Sequence, residues 1–198
     1  MIHSKAGKAV FLLLLFFMLF AIALISLYAG QVPVPLSSLF HQTAAALGIP
    51  SAPGAALTDE QWAVLWYIRM PRICVAILCG AALAVAGAVM QGVFSNPLAD
   101  PGIIGVSAGA SFGAVIAVSL GLTSLSMYYM PAFALAGALL SIFTAVMLTM
   151  RGGRTSPMTL LLAGVAVSIF LSALTNGILT FMSEYRLREF LFWMVGGL

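Results

Sequence analysis

Long apolar runs separated by short polar intervals dominate the chain. Residues 10–29, 73–94, 101–120, 128–150 and 158–182 are each predominantly apolar. A helix of about 20 residues rises about 30 Å, the thickness of a hydrocarbon core. Each run is therefore predicted to cross a membrane, because a helix satisfies every backbone N–H and C=O within one segment. A further apolar stretch opens at Phe190 and reaches Leu198 without a polar tail, so residues 190–198 read as the start of a sixth span and the chain as part of a longer one. The expected fold class is all-α: a polytopic transmembrane bundle forming one membrane domain over 1–198.

Composition agrees, since 63% of residues are hydrophobic and only 7% charged, far from an ordinary soluble domain. Charge placement then orients the chain. Lys5, Lys8, Arg151 and Arg154 have no acidic neighbour, whereas Asp59 and Glu60 accompany Arg69 and Arg72, and Glu184 and Glu189 surround Arg186 and Arg188. Unopposed basic residues mark the cytoplasmic side, which puts residues 1–9 inside and 31–68 outside. The first span follows Lys5 and Lys8 as a signal peptide would, but it is long, lacks a small-x-small cleavage site and precedes further spans, which favours an uncleaved anchor. No basic patch interleaved with aromatic residues points to nucleic acid.

The polar segment 31–68 is expected to carry short interfacial helices. Ser37 or Ser38 could cap one that ends at Gly48, residues 48–54 form a turn-rich linker, and Thr58 with Gln61 makes a capping-box pattern ahead of a helix bearing Trp62 and Trp66. Tryptophans there sit at headgroup level. Arg69 and Arg72 follow at the outer mouth of the second span, where mid-membrane burial would cost about 2.5–3.5 kcal/mol each. Spacing alone favours headgroup anchoring; the alternative is a docking point for carboxylates of a soluble partner.

Gly80, Ala84 and Ala88 recur every four residues in the second span, and Gly105, Gly109 and Gly113 do so in the third. Such small-residue faces let helix backbones approach closely. Gln91 is the strongly polar side chain of the second span, suited to bonding a neighbouring helix and, as an intramembrane polar group, also a functional candidate. In the bend 96–102, Asn96 precedes Pro97, and Asp100 is placed to cap the third helix with Pro101 at its first position. A short, stiff connector is expected. Ser168, Ser172, Asn176 and Thr180 are spaced by four, with Thr175 beside them. This stripe either lines a path for a polar solute or bonds to neighbouring helices, and Asn176 with three hydroxyls on one face exceeds what packing needs.

Candidate chemistry is sparse. Cys74 and Cys79 point to different helix faces, and His3 and His41 stand apart from each other and from carboxylates, so neither a disulfide nor a metal site is indicated. Gly105, Gly109 and Gly113 are not followed by the Lys-Ser or Lys-Thr of a phosphate-cradling loop. No catalytic constellation or cofactor site is indicated either. No span carries the mid-membrane carboxylate common in ion-coupled carriers and channels, which favours an externally driven pathway.

The segment Arg69-Met70-Pro71-Arg72, then Gly80-Ala81-Ala82-Leu83-Ala84 with Gly87 and Gln91, then Asn96-Pro97-Leu98-Ala99-Asp100-Pro101 and Gly105-Val106-Ser107-Ala108-Gly109-Ala110, resembles the FecCD family. Leu160 to Val165 and Phe192 to Leu198 are similar to that family as well, in the same order. These are permease subunits of ABC importers for iron-siderophores, haem and vitamin B12. The resemblance implies a ten-helix permease that pairs with a second copy around one path, with a cytoplasmic ATP-binding subunit and an extracytoplasmic substrate-binding protein as partners and lipid around it. ATP hydrolysis would reside in the partner subunit. It also implies that Arg69 and Arg72 receive glutamates of the binding protein, against the anchoring that spacing favours. Asn96 and Leu98 would form a cytoplasmic gate, Thr155, Ser156 and Pro157 would fall in a second gate loop, with Pro157 departing from the expected hydroxyl residue, and the fifth helix would line the path with Gln91. Iron-chelate cargo is expected over vitamin B12 or an oxyanion by frequency in the family. The family's later helices and coupling segment are missing here, so this chain alone is expected not to couple ATP hydrolysis to uptake; ATP-driven uptake by it would overturn that.

Overall fold

A computed structural model of the protein describes residues 5–35, 37–38, 57–150 and 156–196. Most of the expected helix before Gly48, the linker 48–54, and Arg151, Arg154 and Thr155 lie outside the described residues. The chain divides into two compact units, 1–81 and 82–198, and the dividing point falls inside a helix.

In the first unit, α1 (Lys5–Tyr28) is a continuous apolar helix. A second helical stretch opens at Thr58, whose hydroxyl accepts from the Gln61 backbone N–H at 3.2 Å while the Gln61 side chain accepts from the Thr58 N–H at 3.1 Å. That reciprocal pair satisfies two donors a helix start would leave open. Three segments follow without a break: α2 (Asp59–Ala63), a π-helical turn (Val64–Arg69) and α3 (Met70–Phe94). The second span, expected from 73 after an external loop ending at 68, thus belongs to one helical stretch of 36 residues from Asp59 to Phe94. The π turn explains the continuity. Pro71 has no N–H, and its ring crowds the carbonyl four residues back in a regular helix. Where Met70 N–H reaches back to the Leu65 carbonyl, the turn is one residue wider, and it carries the chain past Pro71 without ending the helix.

The second unit begins within α3 and turns through the bend at 95–100. A 3-10 turn (Pro101–Ile104) leads into α4 (Val106–Ser119), and another (Leu122–Ser124) into α5 (Tyr129–Thr149). α6 (Pro157–Thr180) and α7 (Glu184–Met194) complete the described chain. Two expectations change here. Residues 101–120 are not one helix, because Gly105 adopts φ 89°, a left-handed conformation that ends the 3-10 turn and starts α4. The last helix starts earlier than 190: Phe190 lies in the middle of a charged, amphipathic helix that starts at Glu184, and Gly196 at φ 81° follows its end.

α4 packs against α5, α6 and α7. Ala114, Val115 and Val118 of α4 meet Met130 and Ala134 of α5 and the ring of Phe190, which is 3% exposed. The α4–α5 contact is backbone on backbone. A Cβ on Gly109 would meet the Gly137 carbonyl oxygen, one on Gly137 would meet that of Gly109, and one on Gly113 would meet that of Phe133. Close approach of this kind supplies dispersion contacts where lipid leaves little hydrophobic driving force. Among the described residues, four helical stretches, 6–28, 59–94, 129–149 and 157–180, are long and apolar enough to cross a membrane, while α4 is shorter at 14 residues. Among the described residues there is no strand.

Candidate functional site

The bend between α3 and α4 is tied by its own side chains. Ser95 at φ 49° turns the chain out of α3, and the Asn96 N–H donates to the Gln91 carbonyl at 3.2 Å. The Asn96 Oδ1 then accepts from the Leu98 N–H at 2.9 Å, and the Asp100 Oδ1 from the Gly102 N–H at 2.7 Å. Two successive side-chain-to-backbone turns brace the connector from within. Leu98 stands at its tip, 84% exposed. Asp100 and Pro101 do act as a cap, but of the 3-10 turn and not of α4.

Where the chain leaves that turn, α5 and α6 hold it. The buried Ser141 hydroxyl donates to the Gly105 carbonyl at 2.7 Å. A Cβ at Gly105 would lie 2.8 Å from the Ser141 Oγ and 3.2 Å from the Ser168 Oγ, and one at Gly164 2.7 Å from the Ile104 Cα. Glycine is required at 105 by both conformation and space.

Between α4, α6 and α7 lies a pocket of about 360 Å³, lined by Ser107, Ser111, Ser172, Thr175, Asn176 and the side chain of Met194, among others. Ser111 Oγ donates to the Met194 sulfur at 3.5 Å. The polar stripe of α6 therefore divides. Ser172, Thr175 and Asn176 reach the pocket, whereas the Ser168 hydroxyl donates to the Gly164 carbonyl and that of Thr180 to the Asn176 carbonyl. Thr175 also bonds its own helix, at the Leu171 carbonyl. Gln91 does not line this pocket; its side chain is exposed, and its contribution to the bend is its backbone carbonyl. Ser107 and Ser111 escape a reading by spacing because they sit between the glycines of α4, whose periodicity masks a second, hydroxyl-bearing face. The pocket carries no charged side chain.

A second cavity of about 740 Å³ lies among the ends of α4, α6 and α7, where Arg186 Nη1 donates to the Ser119 carbonyl at 2.7 Å and closes the end of α4. The Arg188–Glu184 ion pair on α7 is exposed and contributes little. Ser156 and Pro157 are placed as helix-starting residues: the Ser156 Oγ accepts from the Thr159 N–H at 3.3 Å, and Pro157 takes the first helical position, where its missing N–H is harmless.

The arginine pair at the first-unit helix separates. Arg72 is exposed. Arg69 is 8% exposed, with Nη1 donating to the Leu27 carbonyl at 2.6 Å and the Tyr28 carbonyl at 3.3 Å, and Nη2 to the Val32 carbonyl at 2.5 Å. Its guanidinium is engaged within the chain, whereas the expectation gives both arginines to a partner's carboxylates. The small-residue faces separate in the same way: Gly80 has open space around the position of a Cβ, and Ala84 and Ala88 are exposed, so the expected close packing of that face has no neighbour among the described residues. Cys74 and Cys79 are exposed thiols, and no group of three or more metal-ligating side chains occurs among the described residues.

Comparison with known proteins places this arrangement. A family model described as the FecCD transport family matches residues 15–198. Vitamin B12 import system permease proteins of Salmonella typhi and Salmonella newport are 44% identical over 146 residues, covering 74% of this chain and 44% of theirs. A solved structure described as an inward-facing conformation of a metal-chelate type ABC transporter matches with a TM-score of 0.70 and 28% identity, over 92% of this chain and 52% of that one. The chain spans less than half the length of the permeases it matches.

Proposed function

The chain belongs to the FecCD transport family, and from that premise we propose that it forms part of the membrane pathway of an ABC importer whose cargo is a metal chelate of the vitamin B12 kind. The observation that carries the proposal is the α4–α6–α7 pocket, where three serines, a threonine and an asparagine stand among Ala108, Leu179, Phe190 and Met194 with no charged group. Neutral donors and acceptors on a largely apolar wall hold a passing solute weakly enough for it to move on. Asn96 and Leu98 serve as the inner gate, with Ser172, Thr175 and Asn176 along the path. A second permease copy completes it, a cytoplasmic ATP-binding subunit drives it, and an extracytoplasmic binding protein docks on Arg72. The unopposed Lys and Arg residues support a cytoplasmic N-terminus.

The 44% identity to vitamin B12 permeases favours a corrinoid over the iron chelate expected from family frequency. An iron chelate is the second reading, supported by the metal-chelate description of the solved relative. The test is uptake of labelled cobalamin by cells that lack their own vitamin B12 permease and express the full-length gene with its ATPase. We expect accumulation, reduced at least about tenfold by Asn176→Leu with Ser172→Leu, since both polar groups would be replaced by bulk. Uptake of a ferric chelate without cobalamin would move the cargo to the second reading, and uptake of neither would defeat the importer.

A further inference from the structure

The cavity of about 740 Å³ among the ends of α4, α6 and α7 has the size of a small-molecule site, about 300–1,000 Å³. α6 divides it from the neutral pocket, for Ser172, Thr175 and Asn176 line the pocket whereas Leu174, Gly177, Ile178 and Phe181 line the cavity. Apart from Ser119, Ser183 and Arg186, its lining residues are apolar. Arg186 is fixed at one nitrogen and open at the others. Nη1 donates to the Ser119 carbonyl at 2.7 Å, and Nη2 lies beside the left-handed Gly121, 3.2 Å from where a Cβ would stand. The guanidinium makes no other hydrogen bond among the described residues, and the ion pair on α7 joins Glu184 to Arg188, so Arg186 has no carboxylate there. Ser183 precedes α7, and its hydroxyl caps nothing.

Gly177 adds a second, independent sign. Glycine is a poor helix former, yet it stands inside α6 with no left-handed conformation to require it. A Cβ there would meet nothing within 4 Å, unlike one at Gly109, Gly113 or Gly137. What the missing side chain leaves is room in the cavity. A small hydrated anion would leave the apolar wall unused, and an apolar molecule would leave the guanidinium without a counter-charge; an anion joined to a hydrocarbon body answers both. Guanidinium pairs phosphate in a bidentate way, and basic pockets between membrane helices hold lipid head groups. The cavity's place at the helix ends agrees, with Phe181 91% exposed and Tyr185 exposed beside it, as aromatic residues are at a membrane interface.

We propose that this cavity is a site for an anionic phospholipid, in which Arg186 and Ser183 receive the phosphate, Leu174, Ile178 and Phe181 meet the upper acyl chain, and Gly177 leaves the space that chain occupies. The site does not depend on which cargo the permease carries. Its assignment to the outer leaflet rests on the cytoplasmic N-terminus.

The experiment is photolabelling of the full-length permease in phosphatidylcholine nanodiscs that contain a trace of phosphatidylglycerol bearing a diazirine on its acyl chain, with labelled peptides mapped by mass spectrometry. Labelling is expected within residues 173–186, displaced by unlabelled phosphatidylglycerol and not by inorganic phosphate. Gly177→Leu should lower it about tenfold by filling the cavity while the guanidinium stays in place. Arg186→Gln should lower it by a similar factor of about ten through loss of the charge-assisted contact. Arg186→Lys, which keeps the charge without the planar fork, should fall between, and Arg188→Gln should match the wild type. Arg186→Gln also releases the Ser119 carbonyl, so Gly177→Leu, where an added side chain strikes nothing, separates loss of the site from loss of the fold and carries the test should the arginine variant fail to fold. Equal labelling by a diazirine phosphatidylcholine, displacement by inorganic phosphate, or labelling that survives Gly177→Leu would overturn the proposal. Absence of label from 173–186 in the wild type would mean that protein covers the cavity, and would overturn it as well.

Discussion

Gly80, Ala84 and Ala88 on α3 and Gly105, Gly109 and Gly113 on α4 have the same spacing and the same chemistry, yet their surroundings differ completely. A side chain added at Gly113 or Gly109 would strike backbone of α5, whereas one added at Gly80 would meet nothing within 4 Å. The period of a small-residue face tells how closely a helix can be approached; only a neighbour of matching shape tells whether it is. On α5 that match is visible, because Met130, Ala134, Ala138, Ser141 and Ala145 form a buried stripe with Gly137 at its crossing point. The arginines repeat the lesson. Arg69 is enclosed and Arg72 is open, although the sequence presents them as a pair.

Substitutions can sharpen the contrast. Gly113→Val is expected to cost more than about 3 kcal/mol, enough to disrupt the α4–α5 crossing, because the clash is with rigid backbone and not with a side-chain tip. Gly80→Val should change thermal stability in detergent by less than about 0.5 kcal/mol in the described fold, so equal losses at the two sites would erase the distinction. Arg69→Ala comes next, with an expected loss of about 2–3 kcal/mol from three severed charge-assisted contacts at a helix end, against less than about 0.5 kcal/mol for Arg72→Ala. Denaturant titration followed by tryptophan fluorescence, with Trp62 and Trp66 within two turns of Arg69, reads both. Ser141→Ala should cost about 1–2 kcal/mol by leaving a buried carbonyl with one partner fewer, and Thr144→Ala, an exposed hydroxyl on the same helix, almost nothing. Of the losses expected at tied sites the smallest is Asn96→Ala, about 1 kcal/mol from removing the first tie of the bend, seen as faster exchange at Leu98.

Much of the architecture was legible from the chain itself. Apolar runs of membrane length located α1, α3, α5 and α6, and the capping signal at Thr58 is a helix cap, whereas that at Asp100 caps the 3-10 turn in place of α4. Three features were not legible, each for a physical reason. Helix continuity through Pro71 depends on a π turn, which leaves no compositional trace. The break at Gly105 depends on Ser141 and Gly164 from other helices, so the glycine reads as one more step in a packing ladder. The division of the α6 stripe depends on which residues α4 faces, Ser172, Thr175 and Asn176 but not Ser168 or Thr180, although Thr175 returns its hydroxyl to its own backbone as those two do. Of the pocket between α4, α6 and α7, spacing singles out Ser172, Thr175 and Asn176, but the opposite wall, Ser107 and Ser111, becomes apparent only when α4 and α6 are brought together.

The bend at 95–105 has a mechanical consequence. Both ends of the connector are marked by residues in left-handed conformations, Ser95 and Gly105, and the stretch between them is braced by Asn96 and Asp100. A push on the exposed Leu98 would then be expected to pass to the two ends, one at the foot of α3 and the other against Ser141 and Ser168, and the connector to work as a short crank between helices whose throw is set by two backbone joints.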